Sequence, residues 1–339
     1  MKTIKKILCF AVLISSVLSS CIEEFVPRDV ERVSGILIVD GHITNDESII
    51  TLRYSVGMQD TLIGNETIDH ALVFVETDKG QKMQGVFQEK GKYVVPTGTL
   101  YSDTQYKLHI LLDGQEYEST FLFPLYTVEI DTLYVTKEGR GEPVNVNLVT
   151  HGQEDDSKYY FWSYNEIWEY RAELFANAGY IGGEFMFFNL YTSNNSYYCW
   201  ARNNSKSLIV GSTTKLSQNM MQKKIIEIPP NHDKLSMLYY ISIQQKMIRK
   251  ETYDYYQNLQ NNVDLTGSIF SPIPAEIKGN ISCINNSDIP VIGYIDVTTT
   301  TEKSLFVPTS GELYEPKISN CIYSVTDDPD SGYPIYIYI

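Results

Sequence analysis

From Ser34 onward the chain alternates short apolar and polar runs, broken by Gly, Pro, Asn and Asp about every 8–12 residues. Alternation at period two predicts strands with one buried face. It predicts strands at residues 35–43, 48–56, 71–76, 91–95, 105–112 and 115–123. Asp113-Gly114 between the last two is a hairpin signal, because both turn residues must accept positive φ. The fold expected is mainly β, with an N-terminal antiparallel sandwich, immunoglobulin-like or transthyretin-like, over residues 34–124. Pro124 closes that unit. A larger β-rich domain over residues 126–307 follows, with strands near 128–135, 144–150, 158–164, 207–210, 225–228, 235–244, 276–283 and 291–297. One or two helices interrupt it. Residues 167–178 give a weak helical pattern, and residues 246–261 a better one, with Ile248, Thr252, Tyr255 and Leu259 on one face. Residues 308–339 read as a polar, turn-rich tail.

The N-terminus departs from this pattern. Lys2, Lys5 and Lys6 precede an apolar run over residues 7–18, too short for a bilayer, which needs ~20 residues. Residues 1–20 therefore have the proportions of an export signal. Leu18-Ser19-Ser20-Cys21 resembles a bacterial lipobox, so cleavage would leave Cys21 as the acylated first residue. Two or three acyl chains anchor firmly, at ~0.8 kcal/mol per buried CH₂. Residues 21–33 then form a lipidated tether, and Glu23-Glu24 resembles the signal that sends such proteins to the outer face of the outer membrane.

Loss of the signal leaves 319 residues and takes the formal charge from −15 to −18. An acidic surface argues against nucleic acid, which selects basic patches. Of five cysteines, Cys9 leaves with the signal and Cys21 is acylated. Cys199, Cys283 and Cys321 permit one disulfide in an oxidising compartment, and spacing does not choose the pair.

An ordered series of segments resembles a known family. Cys199-Trp200 is followed by Ile209-Val210-Gly211-Ser212 with Lys215-Leu216, then by a strand–helix unit carrying Tyr239, Ile243, Gln245, Tyr253, Tyr255 and Tyr256. Gly267-Ser268-Ile269-Phe270-Ser271-Pro272, Lys278-Gly279-Asn280-Ile281 and Val291-Ile292-Gly293-Tyr294 complete it. With Leu37-Ile38-Val39-Asp40-Gly41-His42-Ile43, this order is similar to the Bacteroidota lipoprotein family called domain of unknown function 4249. The resemblance implies a membrane-anchored, mostly β accessory protein, often encoded beside TonB-dependent outer-membrane transporters. It brings no catalytic residues with it.

Candidate chemistry is sparse. His42, His70, His109, His151 and His232 lack metal-ligand spacing, and His42 and His109 read as structural. Gly211-Ser212 lacks the second glycine of a nucleophile elbow. Glu154-Asp155-Asp156 lacks the glycine and distal carboxylate of a calcium loop. No catalytic residue, cofactor or metal is expected. The chain is rich in tyrosine, with 26, and aromatic side chains offer large apolar area for ligand contact. Tyr180, Phe185, Phe187, Phe188, Tyr191, Tyr197, Tyr198 and Trp200, in a Gly- and Asn-rich stretch, are the expected ligand or partner contacts. Thr61 and Thr132 sit in Asp-Thr-Leu patterns that resemble the O-glycosylation signal of these bacteria. The expected function is that of an outer-membrane surface lipoprotein, an accessory of a TonB-dependent nutrient transporter that binds a glycan, peptide or chelate. A surface hydrolase and a structural or adhesive lipoprotein are the alternatives.

Overall fold

The computed structural model describes residues 35–56, 67–171, 178–181, 183–187, 198–265, 278–308, 313, 324–327 and 334–337. Over the described residues the alternating sequence becomes sheet, and the fold is mainly β with little helix. The first unit opens with β1 (Leu37–Gly41), β2 (Asp46–Tyr54), β3 (Leu72–Thr77), β4 (Lys82–Gln84) and β5 (Val86–Phe87). It continues with β6 (Lys92–Gly98), β7 (Tyr106–Leu112) and β8 (Gln115–Ser119). Asp113 and Gly114 take φ of 50° and 77° in the β7–β8 turn, as the hairpin signal requires.

The second unit contains β9 (Ile130–Thr136), β10 (Val144–His151), β11 (Tyr159–Arg171), β12 (Ala178–Ile181) and β13 (Glu184–Phe187). Next come β14 (Tyr198–Asn204), β15 (Ile209–Ser212), β16 (Met220–Ile228), β17 (Leu238–Met247) and the helix α1 (Lys250–Leu265). After α1 the chain returns through β18 (Ile281–Cys283) and β19 (Val291–Ile292), and then forms β20 (Thr300–Pro308). The described tail residues form a small antiparallel pair, β21 (Ser324–Asp327) and β22 (Pro334–Ile337).

Two five-stranded sheets, ordered β19-β1-β2-β6-β5 and β18-β8-β7-β3-β4, build the sandwich. They share one core containing Leu37, Val39, Ile50, Leu52, Val73, Val75, Leu108 and Ile110. In the second unit a three-stranded sheet, β16-β10-β9, shares its core with the sheet β14-β11-β17-β20. The even-numbered residues of β11 from Tyr160 to Trp168 belong to the core side, with Trp162 fully buried. Its Nε1 donates to Gln245 Oε1 at 2.8 Å, and Gln245 Nε2 donates to Val128 O and Thr150 Oγ1. These bonds satisfy polar groups that would otherwise be costly to bury.

Three expectations need correction. Residues 167–171 of the first expected helix extend β11, where Ile167, Glu169 and Arg171 pair with β14. The dense Tyr and Trp content favours strand there. Residues 172–177 lie outside the described residues. The second helix begins at Lys250, not 246, because Lys246 and Met247 still pair with β11. Its buried face, with Thr252, Tyr255 and Tyr256, keeps the expected helical spacing. Finally, residues 278–297 rejoin the first unit: β18 pairs with β8 and β19 runs parallel to β1. Ile281, Cys283, Ile295 and Val297 complete the sandwich core, because that core has apolar space that the first 124 residues leave unfilled.

The returning segment ties the units together. Ile43 N donates to Asp296 O and Leu125 N to Val297 O, both at 2.9 Å. The fully buried Asp296 carboxylate accepts from Arg249 N at 2.8 Å, from Thr252 Oγ1 at 2.7 Å and from the Arg249 guanidinium.

Candidate functional site

A cleft of about 680 Å³ lies where the turn after β1 faces β11, β17, β20 and α1. That size suits a small ligand. Gly41 sets its first wall. With φ of 140°, it turns the chain at the end of β1, and any Cβ there would lie 2.3 Å from Ile49 O. The turn that follows is pinned by hydroxyl groups: Thr44 N donates to Ser48 Oγ at 2.9 Å, and Thr97 Oγ1 donates to Thr44 O at 2.6 Å. Thr300 N donates to Asn45 Oδ1 at 2.8 Å and holds the turn against β20.

The bend at Gly41 buries His42 beneath Phe161 and Tyr256. Its ring lies 5.3 Å from Phe161, and Nε2 lies 3.0 Å from the Tyr256 hydroxyl. Burial, with the nearby Lys246 charge, pushes the imidazole down to about 3, so it is neutral at ordinary pH. Burial raises the Tyr256 hydroxyl, which stays a protonated phenol. Among the described residues Nδ1 of His42 has no hydrogen-bond partner.

Lys246 is the second unusual group. It projects from β17 and is 9% exposed, with its ammonium 5.7 Å from the Phe161 ring centre. Among the described residues no carboxylate lies within ion-pair distance of it. Burial pushes it down to about 8, against a weaker opposing pull from Asp40. Asp40 opens onto the water of the cleft, and its recessed position raises its carboxyl despite the Arg53 charge. Glu302 is already engaged, accepting from Ser242 Oγ and from Gln244 Nε2 at 3.2 Å. Asp46 and Glu47 lie at the exposed rim. The lining thus combines one desolvated cation, several acids, amides and hydroxyls, and one aromatic face.

The same face of the sheet continues beyond the cleft. Register places Phe161, Lys246 and Thr300 in one row, and Ile167, Tyr240 and Phe306 in another six residues along, about 20 Å away. Trp200 and Phe306 are 61% and 63% exposed. The cleft therefore opens onto a partly aromatic surface.

The aromatic contacts expected from sequence are scattered relative to this cleft, and none of the described ones lines it. Tyr198 and Trp200 stand exposed on β14, and Phe187 on β13 is 70% exposed. Tyr180 and Phe185 fall on β12 and β13, which pair with each other. Phe188, Tyr191 and Tyr197 lie outside the described residues, as do Cys21, Thr61 and Cys321. Thr132 is exposed on β9. Cys199, half-buried beside Tyr170, and Cys283, buried near Gln115, lie in different sheets and are not joined to each other. Sequence reasoning missed Asp40, Lys246 and Glu302, and it read His42 as structural. The one local signal was the polar side of β17, where Ser242, Gln244 and Lys246 alternate with Ile241, Ile243, Gln245 and Met247.

A second cluster forms on the sandwich surface. Glu76, His109 and Glu118 come together from β3, β7 and β8, close enough to share a cation. Ammonium groups already occupy the carboxylates: Lys82 Nζ lies 2.7 Å from Glu76, and Lys107 contacts Glu118. Burial opposes ionisation of Glu76, but hydrogen bonds from Lys82 and His109 outweigh it and bring the carboxyl down to about 2. This is an ion-pair lattice across four strands, β4, β3, β7 and β8.

Among the described residues no helix is long and apolar enough to cross a membrane. No curated protein matches the chain. A family model described as a domain of unknown function (DUF4249) matches residues 22–304, and the chain belongs to that family.

Proposed function

We propose that this protein is a lipid-anchored binding protein of the outer-membrane surface that captures a small polar ligand in its inter-unit cleft and works with a TonB-dependent transporter. The observation that carries the binding reading is the desolvated Lys246 ammonium in the cleft lining, without an ion-pair partner among the described residues. A buried charge is costly unless something offsets it, and a ligand offsets it. The unsatisfied Nδ1 of the neighbouring His42 adds a second buried polar atom to the same wall. Anchoring rests on the lipobox-like residues ending at Cys21. The exposed aromatic side chains of β14 and β20 offer a surface for the transporter, since aromatic residues are enriched where proteins meet.

Expression in the native membrane with radiolabelled palmitate tests the anchor, and affinity purification from that membrane tests the partner. Label retained after Cys21→Ala would overturn the anchor. Recovery without a transporter under mild detergent would overturn the partnership.

A further inference from the structure

The cleft also carries information about the class of its ligand. Lys246 sits nine-tenths buried on its floor, held by the β11–β17 and β17–β20 registers. Its ammonium lies over the Phe161 ring, near His42, and among the described residues no carboxylate stands at ion-pair distance. Asp40 lies on the adjoining wall, near enough for the two charges to feel one another, and is open to the cleft. Asp46 and Glu47 follow at the rim. One recessed cation with anions arranged beside and outside it is the complement of a molecule with the reverse pattern: a carboxylate that enters first and an ammonium close behind it. A plain anion would meet the acids of the rim, and a plain cation would meet Lys246.

We infer that the cleft binds zwitterionic ligands of the amino-acid and short-peptide class, with the carboxylate on Lys246 Nζ and the ammonium at Asp40. Hydroxyl and amide groups of Thr51, Ser163 and Gln244 border the same space and can bond the backbone of such a ligand. The open sheet face beyond Ser242 gives room for its side chains. This inference rests on the binding reading above and adds the chemistry of the ligand to it.

Calorimetric titration of the full chain in detergent tests it with five pools: free amino acids, tripeptides, the same tripeptides amidated at the C-terminus, the same N-acetylated, and neutral oligosaccharides. The two zwitterionic pools separate amino acids from peptides as the source of the shared chemistry. A charge-assisted hydrogen bond predicts that amidation weakens binding about ten- to a hundredfold. Lys246→Met should lose a similar factor and no longer distinguish acid from amide. Asp40→Asn, on the solvent side of the cleft, should do the same for the acetylated pool. Equal binding of free and amidated pools, or discrimination that survives in Lys246→Met, overturns the inference. Oligosaccharide binding that Lys246→Met weakens overturns it too and leaves the cleft a binding site. Silence from all five pools up to millimolar concentration overturns both readings.

Discussion

Replacing Lys246 by Met should make the protein more stable, and the size of the gain can be worked from the structure. Lys246 is 9% exposed, and its value falls from the ordinary 10.5 to about 8. At ~1.4 kcal/mol per pH unit, that fall corresponds to roughly 3 kcal/mol held against folding. The sign follows from proton binding. Between pH 8 and 10.5 the unfolded chain holds the lysine proton and the folded chain does not, so stability rises with pH across this window. Below about 8 both states are protonated, and the full cost of the buried charge is present. Met has similar length and no charge, so Lys246→Met should gain about 1–3 kcal/mol at pH 7, allowing for imperfect packing. Near pH 10.5 the gain should shrink toward zero. Urea unfolding of wild type and variant at both pH values measures this, and taking the difference cancels every other titration. A variant less stable than wild type at pH 7 would refute the reasoning, because the ammonium would then be held by the fold itself. An equal gain at both pH values would refute it as well, by assigning the effect to packing.

Other outcomes follow from neighbouring features. Gly41→Ala puts a Cβ 2.3 Å from Ile49 O at a φ of 140°, and should cost about 1–3 kcal/mol in urea unfolding while loosening the His42 wall. Glu166→Ala leaves the Lys234 ammonium, now 2.6 Å from that carboxylate, buried and uncompensated, which should cost about 3–5 kcal/mol. The depressed Glu76 value, about 2 against an ordinary 4.5, contributes stability that is present above pH 4.5 and lost on acidification toward 2. Glu76→Gln should flatten that part of the acid-unfolding curve by roughly 1–2 kcal/mol, after discounting for partial exposure. A fragment ending at Pro124 lacks Ile281, Cys283, Ile295 and Val297 of its own core, and should show little of the cooperative unfolding of the full chain.

Local physics made much of this fold readable. Strand alternation, the Asp113-Gly114 turn and the buried face of α1 are decided within a few residues, so residue order alone displays them. The expected helix gives way to strand over residues 167–171 because aromatic residues on both sides of a strand mimic a helix buried all round. β11 carries Tyr160 and Trp162 inward and Phe161 and Ile167 outward. The site was much less legible. Asp40 and Lys246 are 206 positions apart in the chain, and only the joining of the two units through the returning segment, where Ile43 bonds Asp296, puts them in one cleft. His42 read as a strand-end histidine because nothing local shows Tyr256 above it. The Glu76–His109–Glu118 cluster likewise depends on register between strands, which histidine spacing cannot express.

The parallel pairing of β1 with β19 joins Leu37 to Val291, and it bears on how the chain comes together in time. Contacts this distant close a loop of more than 250 residues, and loop closure must be achieved before such contacts contribute. Until residues 291–292 dock, the first sheet therefore keeps its β1 edge unpaired. An unpaired strand edge recruits foreign strands. Small lesions in residues 281–297 should therefore reduce yield more than their share of the folded core suggests.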